Sequence, residues 1–396
     1  MNKRKNIQLG TIAEIIMGQS PAGETCNESG EGLPLLNGPT EFGPHHPIPV
    51  QHTIDPRKKA KPGDILFCVR GSTTGKMNWA DREYAIGRGI AAIRHRRGKE
   101  YQHFLRGLID FRLPELLAQA TGSTFPNVSF DQLTDLPWDE LTENEQRAIA
   151  AVLGSLDDKI ELNRRMNETL EALAQSLFKS WFVDATQSAL PKGWREATIR
   201  ELASNIQYGL TQSASTEPVG PRFLRITDIQ GGRVDWGNVP YCKVSPEEHE
   251  RYRIKPGDVL VARTGASTGE NIYLPVAPDA VFASYLVRFQ FAEPSMGRLV
   301  AAFMRTPAYF EFVAGCIGGS AQPNASAQVL AGAQLAVPPP ELAKRFADTI
   351  APFDKRIAAN NEESRTLAAL RDALLPKLLS GELRVPAASG SMKASA

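Results

Sequence analysis

The sequence predicts an α+β protein built twice over: two globular mixed α/β domains, each followed by a long helix. Three observations predict it. Residues 61–75, KPGDILFCVRGSTTG, return 194 positions later as KPGDVLVARTGASTG at 255–269. Residues 122–129, GSTFPNVS, return as GSAQPNAS at 319–326. Each copy then closes on a proline segment, LPW at 136–138 and AVPPP at 336–340, followed by a helical run with a seven-residue period. Self-similarity at a fixed interval marks a duplicated structural unit.

Within each copy, Pro-Gly after Lys signals a tight turn. DILFCV and DVLVA then read as short buried strands. RGSTTGK and RTGASTGE read as Ser/Thr/Gly loops at the strand ends, a type of loop that turns backbone N–H groups and hydroxyls toward a phosphate. Further strand-like runs are YAIGRGIAAIRHR at 84–96 and VFASYLVRFQF at 281–291, with short helical runs such as EYQHFLRGLIDFRL at 100–113 between them.

The helical runs cover 145–182 and 342–379. In the first, Ile149, Leu156, Asn163, Leu170 and Leu177 form one row, and Leu153, Ile160, Asn167, Ala174 and Trp181 the other. In the second, the rows are Phe346, Phe353, Asn360, Leu367, Leu374 and Ile350, Ile357, Ser364, Arg371, Leu378. A heptad sustained this long is a coiled-coil seam. Gly154-Ser155 and Pro352 predict a break near the start of each helix, with Ser155 and Asp158 as a capping box. About 28 residues would then remain in each, roughly 42 Å of helix. Asn163 and Asn360 hold the same row, and polar seam residues fix register at a cost in stability. The two are therefore expected to meet across the seam.

Composition bounds the rest. The chain has 396 residues, 42% hydrophobic and 22% charged, which suits globular domains with cores of their own. No apolar run reaches membrane-spanning length and no apolar h-region follows the polar start, so a cytoplasmic protein is expected. Cys26, Cys68, Cys242 and Cys316 form no C-x-x-C pair, in keeping with a reducing compartment. Cys26, His45, His46 and His52 match no metal-ligand spacing and read as loop residues. Net charge is +1, but residues 56–106 carry thirteen Lys or Arg against four acids. Such a block reads either as an electrostatic footprint for nucleic acid or as a solvated basic face.

Enzyme motifs fail in detail. GSTTGKM at 71–77 has three residues where a P-loop needs four, Met77 follows the Lys, and Glu270 replaces that Lys in the second copy. GRGIAA at 87–92 fits a dinucleotide fingerprint but lies in a strand-like run, and its counterpart ASYLVR lacks it. There is no H-E-x-x-H, no G-x-S-x-G, no tight Asp/Glu/Lys nuclease cluster and no Asp- or Asn-Pro-Pro-aromatic motif. No catalytic residue is assigned.

Taken together, KPGD with its strand and Ser/Thr-Gly loop, the GST-x-PN segment, and EQRAIAAVLGSLDDKIELNRRMNETLE resemble the specificity subunit of type I restriction-modification enzymes. The resemblance covers nearly the whole chain, and LDDKIELNRRMNETLEALAQSLFKSWF is its most specific part. It implies target recognition domains at 1–141 and 187–338, spacer helical regions at 142–186 and 339–382, and a disordered tail at 383–396. It implies a split, asymmetric double-stranded DNA target, with two modification subunits that bind S-adenosylmethionine and methylate adenine. Restriction subunits using ATP and Mg would join that core, and this chain would hold no cofactor and perform no chemistry. Antiparallel pairing of the helices would turn the second unit about a pseudo-two-fold axis, so that the domains act as opposed half-site readers. A spacing of about 40 Å would approach one duplex turn, about 34–36 Å.

On this reading Arg70, Ser72, Thr73, Lys76, Arg263, Thr264, Ser267 and Thr268 are expected near phosphates, which position without reading sequence. Arg70 and Arg263 fall one position out of step within the repeat. Ser123, Asn127, Ser320 and Asn324 match the recurring loop motif and either touch DNA or cap a turn. Arg88, Arg94 and Arg96 are candidates for base edges, the alternative being backbone attraction or solvation. Trp79, Tyr84, Trp236 and Tyr241 read as core or turn packing. Two rival functions are a free-standing methyltransferase or nuclease and a coiled-coil scaffold with no DNA role.

Overall fold

The computed structural model describes residues 5–120, 126–317 and 324–385. The chain divides into two compact units, Met1–Glu161 with Thr366–Ala396, and Leu162–Arg365.

In the first unit an antiparallel sheet forms from β1 (Ala13–Met17), β2 (Ile65–Cys68), β3 (Met77–Trp79) and β4 (Ile90–His95). Its order is β1-β4-β2-β3. Residues 65–68 and 90–93 are buried throughout, which explains why ILFC and IAAI carry no polar alternation. Helix α1 (Gln102–Ala118) covers one face and puts Phe104, Leu105, Leu108 and Ile109 into the core with Ile65, Phe67, Ala91 and Ile93. The other face packs on a five-stranded sheet in which Leu33–Leu36 runs parallel to Tyr84–Ile86. Asn6–Gln8 closes the domain by pairing with Pro137–Asp139.

The second unit repeats this plan. Its sheet is β5 (Asn205–Tyr208), β6 (Asp258–Ala262), β7 (Asn271–Leu274) and β8 (Leu286–Gln290), in the order β5-β8-β6-β7. Arg222–Leu224 runs parallel to Ala280–Phe282, and Arg195–Thr198 closes against Gln334–Val337. The duplicated text thus yields a duplicated topology.

The KPGD repeat has a structural cause. Asp64 accepts the Lys61 N–H at 2.7 Å, and Asp258 accepts the Lys255 N–H at 2.8 Å, so each carboxylate staples its own turn. The intervening glycines, Gly63 and Gly257, sit at φ 85° and 93°. An arginine from the neighbouring strand then meets each buried carboxylate. Arg94 grips Asp64 at 2.9 and 2.6 Å. Arg288, two register positions earlier on β8, reaches Asp258 at 3.5 Å while Gln290 supplies a 2.8 Å bond. Burial pushes both carboxyls above their ordinary value despite these partners, and burial lowers Arg288 as well.

The predicted helix breaks are absent. Helix α2 runs unbroken over Glu143–Phe178 and α3 over Pro340–Ser380. The capping box lies at Thr142 and Glu145, not Ser155 and Asp158: Thr142 N–H donates to Glu145 Oε2 at 2.8 Å and Glu145 N–H to Thr142 Oγ1 at 3.3 Å. Ser155 bonds back to the Val152 carbonyl at 2.8 Å instead. Gly154 is an approach residue, since a Cβ there would lie 2.9 Å from the His103 ring. Pro352 stays within α3 because Phe346 and Ile350, both fully buried just before it, hold that turn. All twenty residues of the four heptad rows are buried or half-buried.

In both units the helices pair antiparallel. In the first, Arg371 donates to Asp157 at 2.8 Å, while Leu153 and Leu375 both close over Gly107. In the second, Asn163 lies against Asn360 and Phe178 against Phe346. Val385 packs on the first core, and residues 386–396 of the expected tail lie outside the described residues. Among the described residues no helix is long and apolar enough to cross a membrane.

Candidate nucleic-acid interface

The strand ends of the first unit gather a set of loops at one edge of its sheet. Val69 N–H donates to the Gly89 carbonyl at 2.9 Å, and Val128 N–H to the Val69 carbonyl at 2.8 Å. Arg70 forms a β-bridge with Asn127, and the Thr74 hydroxyl lies 2.8 Å from the Gly71 carbonyl and 2.9 Å from that of Pro126. The RGSTTGK loop and the described end of the GST-x-PN segment, distant in sequence, are therefore one structure. Arg70, Ser72, Thr73, Lys76 and Arg88 all lie exposed on these loops.

The second unit repeats the arrangement. Ala325 N–H donates to the Arg263 carbonyl at 2.8 Å, Thr264 bridges Asn324, and the Thr268 hydroxyl donates to Gly265 at 2.7 Å. Val69 and Arg263 thus occupy matching places, as do Arg70 and Thr264, which is the one-position offset seen in the sequence. Arg263 donates to Asn324 Oδ1 at 3.1 Å and lies 4.9 Å over the Tyr208 ring. Ser267 is half-buried at the loop bend.

The loop backbone offers fewer donors than its composition suggests. In the first copy the N–H groups of Thr74, Gly75 and Lys76 are spent on Gly71, Cys68 and Thr73. In the second, Thr268, Gly269 and Glu270 do the same toward Gly265, Ala262 and Ser267. Side chains must carry most of any phosphate contact, and there the copies differ: Lys76 stands where the second loop has Glu270.

The serine ending each PN-x-S segment caps a short helix. Ser129 accepts the Gln132 N–H and Ser326 the Val329 N–H, both at 3.2 Å. Capping thus belongs to Ser129 and Ser326, while Asn127 and Asn324 join the strand-end loops. Ser123 and Ser320 lie outside the described residues.

Two of the three arginines expected at base edges are elsewhere. Arg94 is held in the buried pair with Asp64, its side chain only 17% exposed. Cross-strand register, which sequence alone does not reveal, put that carboxylate beside it. Arg96 follows the far end of β4 and donates to the Gly10 carbonyl at 3.3 Å. The six residues of β4, roughly 20 Å at about 3.3 Å each, lie between it and Arg88. Part of the basic block is neutralised by local ion pairs. Arg57 pairs with Asp55, Arg82 with Asp81, Arg97 with Glu143 and Arg106 with Asp110.

Asn163 and Asn360 sit in a buried polar cluster. Asn163 Nδ2 donates to Glu363 Oε2 at 2.9 Å and to the Asn360 carbonyl at 3.4 Å. Asn360 Nδ2 donates to Asn167 Oδ1 at 2.7 Å, and Asn167 Nδ2 to Asn361 Oδ1 at 2.8 Å. Asn163, Asn167 and Asn360 are each no more than 5% exposed. Among the described residues no three His, Cys, Asp or Glu side chains converge as metal ligands would.

Residues 1–172 match the family described as the type I restriction modification DNA specificity domain. A Methanocaldococcus jannaschii protein named as the MjaX type I restriction enzyme specificity subunit is 35% identical over 158 residues, 40% of this chain and 37% of the relative. The alignment thus spans little over a third of that relative's length. The HindI specificity subunit of Haemophilus influenzae is 22% identical across 83% of this chain and 88% of its own. In fold, the chain is similar to the crystal structure of a type I restriction-modification S subunit from M. genitalium. That likeness has a TM-score of 0.58 at 17% identity and covers 96% of this chain and 97% of that one.

Proposed function

We propose that this chain, whose residues 1–172 match the type I restriction modification DNA specificity domain, is the DNA-recognition component of a type I restriction-modification complex and performs no chemistry itself. Each domain reads one half of a split, asymmetric target. The helices set the unread spacer and dock two modification subunits, which bind S-adenosylmethionine and methylate adenine. Restriction subunits, using ATP and Mg, complete the cytoplasmic enzyme.

One observation carries this reading: the same strand-end loop cluster occurs twice, on the same four-stranded topology, with different side chains presented. The pairing of Ile90 with Cys68 and of Leu286 with Ala262 makes Ser284 the counterpart of Arg88 and Tyr285 of Gly89. A duplicated scaffold with unlike reading edges is what an asymmetric bipartite target requires. The asparagine cluster fits a register lock between the helices, since its cross-helix hydrogen bonds form in one alignment only.

The test exchanges residues 1–141 for the same region of another specificity subunit and maps the methylated motif. One half of the motif should change and the other stay. Change in both halves, or in neither, refutes the assignment. Within the loop, Lys76→Ala should weaken binding to all sequences alike and reduce the salt slope by about 1. An unaltered slope in salt titrations would remove Lys76 from the phosphate contacts.

A further inference from the structure

One of the two exposed arginines of the first unit's loop edge, Arg88, sits on a backbone that is tied down. It lies between Gly87 and Gly89, and hydrogen bonds hold both sides. Gly87 N–H donates to the Leu36 carbonyl at 2.8 Å, the Gly89 carbonyl accepts from Val69 at 2.9 Å, and Ile90 N–H closes the turn onto Gly87 at 3.0 Å. The Arg88 N–H itself reaches Ser20 Oγ at 3.4 Å. A Cβ at position 87 would lie 2.6 Å from Asn37 Oδ1, and one at 89 would lie 2.3 Å from the Asn37 carbonyl oxygen. The turn is thus pressed onto Asn37 from both sides, and of its three residues only Arg88 extends a side chain. No ion pair holds that guanidinium among the described residues.

Asn37 is the second part. It is exposed, and its Nδ2 donates to Gln51 Oε1 at 3.2 Å, a half-buried residue on a different strand. That bond uses one N–H of Asn37 and one lone pair of Gln51. The groups wholly uncommitted are the carbonyl of Asn37 and the NH2 of Gln51, an acceptor and a donor fixed side by side. Adenine presents the complement in the major groove, the N6 amino donor and the N7 acceptor. An arginine fork complements guanine at O6 and N7.

We propose that Arg88 and the Asn37–Gln51 amide pair form one reading patch in the first unit, with Arg88 recognising a guanine and the amide pair an adenine of the same half-site. The three side chains come from three separate chain segments onto one loop edge. The backbone of Arg88 and the two amides are anchored by hydrogen bonds, so on binding mainly the Arg88 side chain remains to be ordered. In the second unit Ser284 and Tyr285 take the places of Arg88 and Gly89, and its patch reads something else.

This inference rests on the recognition role proposed above, and the experiment separates the two. The full chain is produced with its modification subunits in a host lacking adenine methylation, and methylated motifs are mapped by sequencing the genomic DNA. The half read by residues 1–141 is the half that the domain exchange alters. Arg88→Ala should make one guanine position of that half degenerate, with discrimination falling roughly ten-fold or more. Arg88→Lys should lie between the two, because it keeps charge without the fork. Gln51→Leu should relax an adenine position of the same half, and the other half should stay intact, which also reports a folded protein. A wild-type chain that gives no split motif sinks the recognition role itself. A wild-type motif left unchanged in Arg88→Ala and Gln51→Leu overturns the patch, as does relaxation falling on the other half. Uniform loss of methylation in Arg88→Lys also overturns it, since a reader's loss is confined to its base.

Discussion

Arg94→Ala is expected to cost the first unit about 3–5 kcal/mol, although the residue touches no loop at the proposed DNA edge. The Asp64 side chain is 3% exposed and its main cation is Arg94, at 2.6 Å. Burial already holds the Asp64 carboxyl above 3.8 with the arginine present. That direction means desolvation outweighs the attraction, so the pair adds little net stability as a pair. Removing one member is different, because the charge left behind keeps its desolvation cost and loses its compensation.

The loss should depend on pH with a definite sign. A carboxyl whose folded value is raised binds its proton more tightly when folded. Stability therefore declines as pH climbs from the unfolded value near 3.8 up to the folded one, and stays low above it. Without Arg94 the folded value rises further, so the deficit should be largest near neutrality and shrink on acidification toward pH 4–5. Denaturant melts across this range measure it. A second substitution, Asp64→Asn on top of Arg94→Met, should recover most of the loss, because it removes both charges and keeps an acceptor for the Lys61 N–H. A deficit below about 1 kcal/mol at neutral pH would show that water reaches Asp64 and that the pair is not buried in solution.

Phe346→Ala should cost the second unit a comparable amount, about 3–5 kcal/mol. Phe346 is fully buried in α3 and meets three rings from α2 and the turns after it. Phe178 lies at 6.0 Å, Trp181 at 6.0 Å and Phe182 at 5.0 Å, all near edge-to-face. Such pairs add about 0.5–1.5 kcal/mol each beyond area burial. The truncation leaves a cavity that surrounding helices cannot close without disturbing Ala343 and Ile350, also in that cluster. Phe346→Leu should recover most of the loss. Thermal melts read both variants, and equal melting of Phe346→Ala and the parent would mean the helix ends are not packed as described.

What the sequence reveals here is whatever is local or periodic. The repeat, the heptad rows and the strand after each KPGD are short-range patterns, and all twenty seam positions are at least half-buried. What it hides depends on register. Gly154 looks like a helix breaker because the His103 ring that requires it lies fifty-one residues away. Arg94 looks like a base reader because Asp64 is its neighbour only across two strands. The pairing of Asn37 with Gln51 leaves no periodic trace, since Asn37 lies just past a four-residue strand and Gln51 opens a three-residue one that pairs with it antiparallel. The bridging of Arg70 to Asn127 could be suspected only from the fact that both motifs recur together.

The glycines at 87 and 89 absorb the whole steric demand of their turn, and position 88 bears none. A change at either glycine meets Asn37 and is purged as a folding defect. A change between them alters no contact in the interior. One codon is thereby released to drift between two that are pinned, and the chain can explore new preferences there without risking its architecture.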